Sequence, residues 1–117
     1  MLKKNSILDK FKLDGKVGIV TGAAGGLGTA FSEALAEARA DLVIVTDKQI
    51  SKLEELAKRI SKETGRDVLS LKVDVTSTED VKRMVEEADK HFGRIDILVN
   101  NAGISLACPA IKFDLDI

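Results

Sequence analysis

The chain has 117 residues, a length that predicts one domain able to bury a core of its own. Eighteen basic and nineteen acidic residues give a formal net charge of −1, so a basic surface for nucleic acid is not expected. No stretch approaches the roughly 18 apolar residues of a membrane span, and the start lacks the apolar run of a signal peptide. We therefore expect a soluble, cytoplasmic protein without a nucleic-acid or membrane partner.

Cysteine and histidine each occur once, as Cys108 and His91. A lone cysteine forms no intrachain disulfide, and the ligand spacing of a metal site is absent. His91 falls at the polar end of a predicted helix, where we expect it to cap carbonyl groups. Neither residue is assigned a catalytic role, and no metal is expected.

Short apolar runs alternate with segments of helical periodicity after a polar lead-in. The lead-in covers residues 1–14 and contains four apolar residues expected to anchor it: Ile7, Leu8, Phe11 and Leu13. Strands are predicted at residues 17–20, 42–46, 68–73 and 95–99. The first is apolar enough to be buried on both faces, and the third alternates apolar and polar residues at its start. Residues 104–117 show no clear period. We predict one domain over residues 15–117, preceded by the lead-in.

Three amphipathic helices are predicted between these strands. Their apolar stripes are, in chain order, Ala30, Phe31, Ala34, Leu35 and Ala38; Leu53, Leu56, Ala57 and Ile60; and Val81, Met84, Val85, Ala88 and Phe92. Gly65 and Gly93 are expected to end the last two helices. Ser77 and Asp80 resemble a capping box, and the spacing of Glu55 and Arg59 suits an ion pair along one helix.

The order β-α-β-α-β-α-β requires parallel strands, because a helical crossover packs back onto the sheet in the right-handed sense. The predicted fold class is therefore α/β, with a doubly wound parallel sheet of the Rossmann type. The expected strand order is 3-2-1-4, which places the ends of the first and fourth strands side by side.

The glycine-rich loop at residues 21–28 follows the first strand and opens the first helix. The pyrophosphate of a dinucleotide needs backbone N–H groups at a helix N-terminus, with no side chains in the way. Gly22 is expected to allow the tight turn, Gly25 or Gly26 the approach of phosphate, and Gly28 the close packing of helix on strand. A Walker-type phosphate loop is excluded because the Gly-Lys-Ser/Thr ending is missing.

Asp47 closes the second strand, nineteen positions after Gly28, where a carboxylate can accept hydrogen bonds from the adenosine ribose. Its charge repels the 2′-phosphate of NADP, so NAD is favoured, although the cation of Lys48 offsets part of that repulsion. Asp74 and Val75 end the third strand, near the adenine end of the predicted crevice. Asp74 can accept from the adenine amino group while Val75 lines the ring; an Asp at a strand end also commonly forms a turn.

Asn100-Asn101-Ala102-Gly103 ends the fourth strand at the topological switch point, where open α/β sheets bind ligands. Small residues there let the cofactor lie close to the backbone, and Asn side chains can bond to neighbouring main chain. The predicted cofactor-binding residues are Gly22, Ala24, Gly25, Gly26, Leu27, Gly28, Asp47, Lys48, Asp74, Val75, Asn101, Ala102 and Gly103.

The chain resembles the classical short-chain dehydrogenase/reductase family in four features and in their order along the sequence. They are Thr21-Gly22-x-x-x-Gly26-x-Gly28, Asp47, Asp74-Val75 and Asn100-Asn101-Ala102-Gly103. The resemblance extends from about Phe11 onward, and both ends of the chain resemble members acting on sugar acids, such as gluconate 5-dehydrogenases. It implies an NAD(P)-dependent, homo-oligomeric oxidoreductase that moves a hydride between a nicotinamide and an alcohol or ketone.

The chain departs from the family's pattern in two ways. The family's chemistry uses a Ser and a Tyr-x-x-x-Lys pair, and this chain contains no Tyr. We therefore assign no catalytic residue and predict that the chain alone is inactive; a non-catalytic nucleotide-binding or scaffolding module is the alternative. Arg39 stands where members often have Gly, at a cost of about 1 kcal/mol if that position needs a positive φ.

Overall fold

The computed structural model describes residues 6–102. Helices and strands alternate along them: α1 (Ile7–Lys10), β1 (Val17–Thr21), α2 (Gly26–Glu37), β2 (Asp41–Thr46), α3 (Ile50–Thr64), β3 (Val68–Lys72), α4 (Thr78–Phe92) and β4 (Ile97–Val99). No helix among them has the length and apolar character needed to cross a bilayer. The predictions for Gly103, Cys108 and residues 104–117 fall outside the described residues.

The four strands form one parallel sheet in the order β3-β2-β1-β4, which confirms the predicted fold class and strand order. β1 is central: Gly18 pairs with Leu42 of β2 on one side and with Ile97 of β4 on the other. Because all strands are parallel, their carboxyl ends lie at a single edge. The loops predicted to bind the cofactor therefore share that edge.

The core consists of two apolar layers, because successive residues of a strand point to opposite faces of the sheet. The layer between the sheet and α2 and α3 includes Val20, Leu42, Ile44, Leu53 and Ile60. The layer beneath α4 is smaller and includes Ile19, Val43, Val45, Met84 and Ala88. Both central strands thus read as continuous apolar runs, as expected for parallel strands covered on two sides.

The buried face of α2 is not the predicted one. Gly28, Ser32 and Ala36 are its buried residues. Three members of the predicted stripe are exposed: Ala30, Phe31 and Ala34. The prediction was wrong because α2 approaches the sheet through its smallest side chains rather than its largest. Ser32 is tolerated in this contact because its hydroxyl donates to the carbonyl of Gly28 at 2.7 Å, which leaves no unsatisfied polar group.

The stripe predicted for α3 is confirmed, since its four members are the buried residues of the helix. On α4, Met84 and Ala88 are buried, whereas Val85 is 44% exposed and was wrongly assigned to the core. These two buried residues stand one turn apart, so a narrow strip of α4 meets the sheet. The predicted stops at Gly65 and Gly93 are also confirmed, with φ of 73° and 75°.

The N-terminus of α4 is capped in part as predicted. Ser77 Oγ accepts a hydrogen bond from the N–H of Asp80 at 3.2 Å. The Asp80 carboxylate does not return to Ser77 but accepts from the N–H of Asp74 at 2.9 Å. Asp is one methylene shorter than the usual Glu of a capping box. Its bond ties the start of α4 to the end of β3.

Several local predictions need correction. β4 begins at Ile97 rather than residue 95, and α2 begins at Gly26, inside the predicted loop. Of the four apolar residues expected to anchor the lead-in, Leu13 packs against the core. The other three are 65–74% exposed: Ile7, Leu8 and Phe11. Apolar character alone did not indicate which of them the fold covers.

Two charged side chains also find partners other than the expected ones. Arg59 pairs with Glu33 of α2 at 2.7 Å and with Glu63 at 3.6 Å, rather than with Glu55. His91 Nε2 lies 2.9 Å from Asp67 Oδ2, so it contacts a carboxylate before β3 instead of capping carbonyl groups. In both cases tertiary neighbours replace a partner on the residue's own helix. Arg39 adopts a φ of 83°, so the condition under which it was expected to cost stability relative to Gly is met.

Candidate cofactor-binding site

Two glycines shape the connection between β1 and α2. Gly22 has a φ of 62°, and a Cβ there would lie 3.0 Å from the backbone of Ala102. A Cβ on Gly28 would lie 2.1 Å from the carbonyl oxygen of Gly22 and 2.7 Å from Ala23 Cα. Real Cβ atoms do not make contacts as short as those at Gly28, so that position requires glycine. At Gly22 the positive φ and the tight approach of Ala102 together favour glycine. The structure thus gives Gly22 the tight turn and Gly28 the close packing that the sequence indicated.

Gly25 and Gly26 have open surroundings instead. A Cβ on Gly26 would meet no atom within 4 Å, and one on Gly25 would meet only the Gly22 carbonyl oxygen, at 3.7 Å. Gly25 is the N-cap of α2 and offers no side-chain cap, and the first turn carries no acidic residue. Backbone N–H groups at this helix end therefore face an accessible surface and the positive end of the helix dipole. That surface fits a pyrophosphate.

Ala24 and Leu27 flank these glycines with opposite exposure. Ala24 is 4% exposed and belongs to the apolar core, so little of its surface is open to a ligand. Leu27 is 67% exposed at the start of α2, next to the open N–H groups. Of these two residues, only Leu27 therefore adds side-chain surface beside the open N–H groups.

Thr21, which the sequence analysis did not assign to the site, joins the ends of β1 and β4. Its Oγ1 accepts hydrogen bonds from the N–H groups of Asn101 at 2.9 Å and Ala102 at 3.0 Å. The same hydroxyl donates to the carbonyl of Val99 at 3.4 Å. A buried hydroxyl next to the first glycine must find partners, and that requirement was the signal available in the sequence.

Asn101 reinforces this junction. Its Nδ2 donates to the carbonyl of Gly22 at 3.3 Å, as expected for an Asn at this strand end. The glycine turn and the end of β4 therefore form one continuous surface at the topological switch point. Ala102 is exposed there, so a ligand can lie close to the backbone.

Asp47 and Lys48 follow β2 directly and are both exposed. The N–H of Ala23 donates to the carbonyl of Val45 at 3.1 Å, which holds the glycine turn over the end of β2. The N–H of Lys48 donates to Thr46 Oγ1 at 3.4 Å. The carboxylate of Asp47 consequently lies at the same edge of the sheet as the turn, where the sequence predicted it.

Asp74 forms a turn at the end of β3. Its Oδ1 accepts from the hydroxyl of Thr76 at 2.6 Å and from the N–H of Thr76 at 2.9 Å. These bonds hold the pKa of Asp74 below its ordinary value, so the group is a carboxylate at neutral pH. Oδ2 lies outside both bonds and can accept from a ligand. Val75, beside it, is 42% exposed and presents an apolar surface.

A parallel sheet with the strand order β3-β2-β1-β4 and an open helix N-terminus over a glycine turn is typical of the Rossmann class of nucleotide-binding domains. The chain belongs to the short-chain dehydrogenase family, whose model matches residues 16–116. Members of this family are oxidoreductases that bind a nicotinamide cofactor.

Three relatives illustrate the likeness. The 2-dehydro-3-deoxy-D-gluconate 5-dehydrogenase of Dickeya dadantii is 41% identical over 107 residues, which cover 92% of this chain and 41% of that protein. L-Sorbose reductase from Gluconobacter frateurii, solved with NADPH and L-sorbose, has a TM-score of 0.79 and 35% identity, covering 91% of this chain and 40% of that one. Carveol dehydrogenase from Mycobacterium avium, solved with NAD, has a TM-score of 0.77 and 27% identity. The match covers 90% of this chain and 42% of that one.

The chain spans less than half the length of the curated relatives that it matches, with shares of 44%, 35% and 38% for three of them. The matched part contains the glycine turn, the ends of all four strands and α2.

Proposed function

We propose that this chain provides the dinucleotide-binding part of an NAD(P)-dependent oxidoreductase that moves a hydride between a nicotinamide and an alcohol or ketone carbon. The observation that carries the proposal is the open N-terminus of α2 at Gly25 and Gly26, set at the carboxyl edge of the sheet. A bound nicotinamide dinucleotide supplies the redox chemistry. The chain's own residues hold and orient it.

Each part of the cofactor has a proposed partner in the chain. The N–H groups at the start of α2 bind the pyrophosphate. Asp47 accepts hydrogen bonds from the adenosine ribose, Asp74 Oδ2 accepts from the adenine amino group, and Val75 contacts the ring. Ala102 and Gly103 let the dinucleotide lie close to the end of β4.

NAD is the proposed favoured cofactor, because the exposed carboxylate of Asp47 repels a 2′-phosphate. Lys48 reduces that preference by placing a cation beside the carboxylate. The relatives include proteins solved with NADPH and with NAD, so the preference rests on Asp47.

The proposed substrate is a small alcohol or ketone of the sugar-acid or polyol class. The Dickeya dadantii relative is a gluconate-type 5-dehydrogenase, and the Gluconobacter frateurii structure contains L-sorbose. We further propose that the protein acts in the cytoplasm as a homo-oligomer and that residues 1–14 are a lead-in to one domain. No catalytic residue is proposed within the 117 residues. They contain no Tyr, and we expect no turnover from this chain alone in an assay with NAD and sugar acids.

Binding of ADP-ribose, measured by calorimetry, tests the proposal directly. The folded chain is expected to bind it, and Gly26→Asp is expected to weaken binding at least about tenfold, because a carboxylate then occupies the phosphate surface. Ala34→Asp is the matched control, since it adds the same charge on the exposed face of α2. Its affinity should stay within about twofold of the unaltered chain. Equal binding by the unaltered chain and Gly26→Asp would contradict the proposal.

A further inference from the structure

The outer edge of β3 is not covered by another strand in the described part of the chain, because the sheet ends there. The first four residues of β3 are only half-buried, whereas β2 is buried after its first residue. A groove of about 590 Å³ lies between this edge and α3. Val68 and Ser70 line it from the strand, and Lys58 and Lys62 line it from the helix. The groove is therefore open to a molecule that approaches from outside the sheet.

The backbone of β3 directs hydrogen-bonding groups along this edge. In a parallel strand, the N–H and C=O of one residue point to the same side, and successive residues alternate between the two sides. The carbonyl of Asp67 and the N–H of Val73 both bond to β2. The residues that alternate with them therefore turn their backbone groups outward, and these are Val68, Ser70 and Lys72.

Arg83 of α4 closes one end of this outward row, because its guanidinium donates to the carbonyl of Lys72. The open stretch consists of the N–H and C=O groups of Val68 and Ser70, together with the N–H of Lys72. An extended peptide that adds a strand to a sheet uses such groups. The length of the stretch suits a peptide segment of a few residues.

The side chains on this side of the edge are mainly basic. Lys58 and Lys62 are one turn apart on α3, and Lys72 projects from the same face of β3 as the groove-lining residues because it alternates with them. None of the three lysines forms an ion pair with a residue in the part of the chain that the structure describes. Glu54 adds one carboxylate to the groove lining. The excess of positive charge favours an occupant with acidic side chains.

A second copy of the chain suits this edge less well. Two copies that extend one sheet through β3 run antiparallel about a twofold axis perpendicular to the sheet. Both α3 helices then lie on the same face of the sheet, so Lys58 and Lys62 of one copy approach the lysines of the other. Like charges on one face across a strand pair are destabilising.

We propose that the outer edge of β3 binds an extended, acidic peptide segment of a partner protein as an added strand. The backbones of Val68 and Ser70 bond to the peptide backbone. Lys58 and Lys62 pair with carboxylates at every second position of the peptide, because alternate side chains of a strand share one face. None of these residues is assigned to the dinucleotide, so the proposal is independent of the proposed function.

Fluorescence anisotropy with a labelled eight-residue peptide that alternates Val and Glu tests the proposal on the 117-residue chain. This peptide should bind at least about fivefold more tightly than one that alternates Val and Lys, because the charge of the lysine peptide is repelled. It should also bind at least about fivefold more tightly than one that alternates Pro and Glu. The proline peptide keeps the carboxylates but lacks every second N–H.

The double variant Lys58→Gln/Lys62→Gln should weaken binding of the Val-Glu peptide about fivefold, the scale of two exposed ion pairs. The difference should shrink as salt is raised. Lys52→Gln is the matched control, because Lys52 is an exposed lysine of the same helix but lines a separate cavity with Ala24 and Thr29. It should leave the affinity unchanged.

A preference for the Val-Glu peptide that falls in the double variant and not in Lys52→Gln would support the proposal. Equal binding of the Val-Glu and Pro-Glu peptides would contradict it, because charge alone would then account for the affinity. An eight-nucleotide single-stranded DNA that binds as tightly through the same lysines would contradict it for the same reason. No binding of the Val-Glu peptide by the folded chain would overturn the proposal, and a sedimentation coefficient altered by the double variant would then assign the edge to a second copy.

Discussion

Gly26 and Gly28 lie two residues apart on α2, yet glycine is required at them for different reasons. At Gly28 the space for a side chain is already taken by the carbonyl of Gly22, 2.1 Å from where a Cβ would stand. At Gly26 the space is open to 4 Å. Gly28 therefore serves packing within the protein, whereas Gly26 leaves a clear surface, to which the proposed function assigns the pyrophosphate.

This difference predicts opposite effects of the same substitution. Gly28→Ala should lower the free energy of unfolding by about 2–3 kcal/mol, because backbone must shift to admit the methyl group. Gly26→Ala should leave stability unchanged or raise it by about 0.5 kcal/mol while weakening ADP-ribose binding. Urea unfolding and calorimetry measure the two quantities. A Gly28→Ala chain as stable as the unaltered one would contradict the assigned contact.

At this scale, much of the candidate site was predictable from sequence. The strand-turn-helix position of the glycines predicted which of them turns and which packs, and the spacing to Asp47 placed its carboxylate at the correct edge. Two features were not predictable. The role of Thr21 depends on N–H groups 80 and 81 residues away. The two hydrogen bonds that Thr76 donates to Asp74 Oδ1 depend on the backbone conformation of the turn between these residues.

Among the elements, the junction of β1 and β4 depends on Asp96. Its carboxylate accepts from Arg94 at 2.7 and 2.8 Å and from the N–H of Val17 at 2.9 Å. Those bonds, first that to Arg94 and then that to Val17, lower the pKa of Asp96 to about 2. The Asp96 N–H also donates to the carbonyl of Val17 at 2.8 Å. Asp96 therefore joins β1 to the start of β4 through both its side chain and its backbone.

A pH dependence follows from this shift. The folded-state pKa of about 2 lies below the ordinary value of 3.8, so Asp96 contributes stability that is fully present above about pH 5. That contribution is lost as the pH falls from about 4 through 2. Urea unfolding of Asp96→Asn should therefore give a shallower loss of stability over this range than the unaltered chain. Asp89→Asn, at an exposed site on α4, should keep the original slope; identical slopes for all three proteins would contradict the prediction.

Element types and order followed from the sequence because β1 and β2 are uninterrupted apolar runs between helices of adequate length. The buried face of α2 did not follow. Hydrophobicity favours Phe31 and Ala34 as core residues, whereas the short distance between helix and sheet selects Gly28 and Ser32. That distance is set by the glycine turn together with the strand pairing, and a periodicity of apolar residues contains no information about it.

In the molecule as a whole, one face of the sheet is covered less completely than the other. Leu98 pairs in register with Ile19, whose side chain lies in the layer beneath α4, yet Leu98 is 54% exposed. Within residues 6–102, β4 is also an edge strand of the sheet. An apolar, exposed edge favours association with another chain.

We therefore expect the 117-residue chain to self-associate, with a sedimentation coefficient that rises with protein concentration. Leu98→Lys should shift the distribution toward monomer, because a charge on an edge strand opposes pairing. Leu27→Lys is the matched control, as Leu27 is 67% exposed but far from β4 in sequence and lies on α2. A monomer at all concentrations for the unaltered chain would contradict the expectation.

The hydrogen bonds of Thr21 to residues 101 and 102 have a consequence for the order in which the candidate site folds. The turn at Gly22 is near the start of the chain, whereas the N–H groups that bind Thr21 come about 80 residues later in the sequence. Loop closure over that separation is slow and costs conformational entropy before it returns any contact energy. During synthesis the glycine turn therefore stays unsupported on one side until β4 has left the ribosome. If the proposed function holds, dinucleotide binding should appear last, in a single step with the docking of that strand.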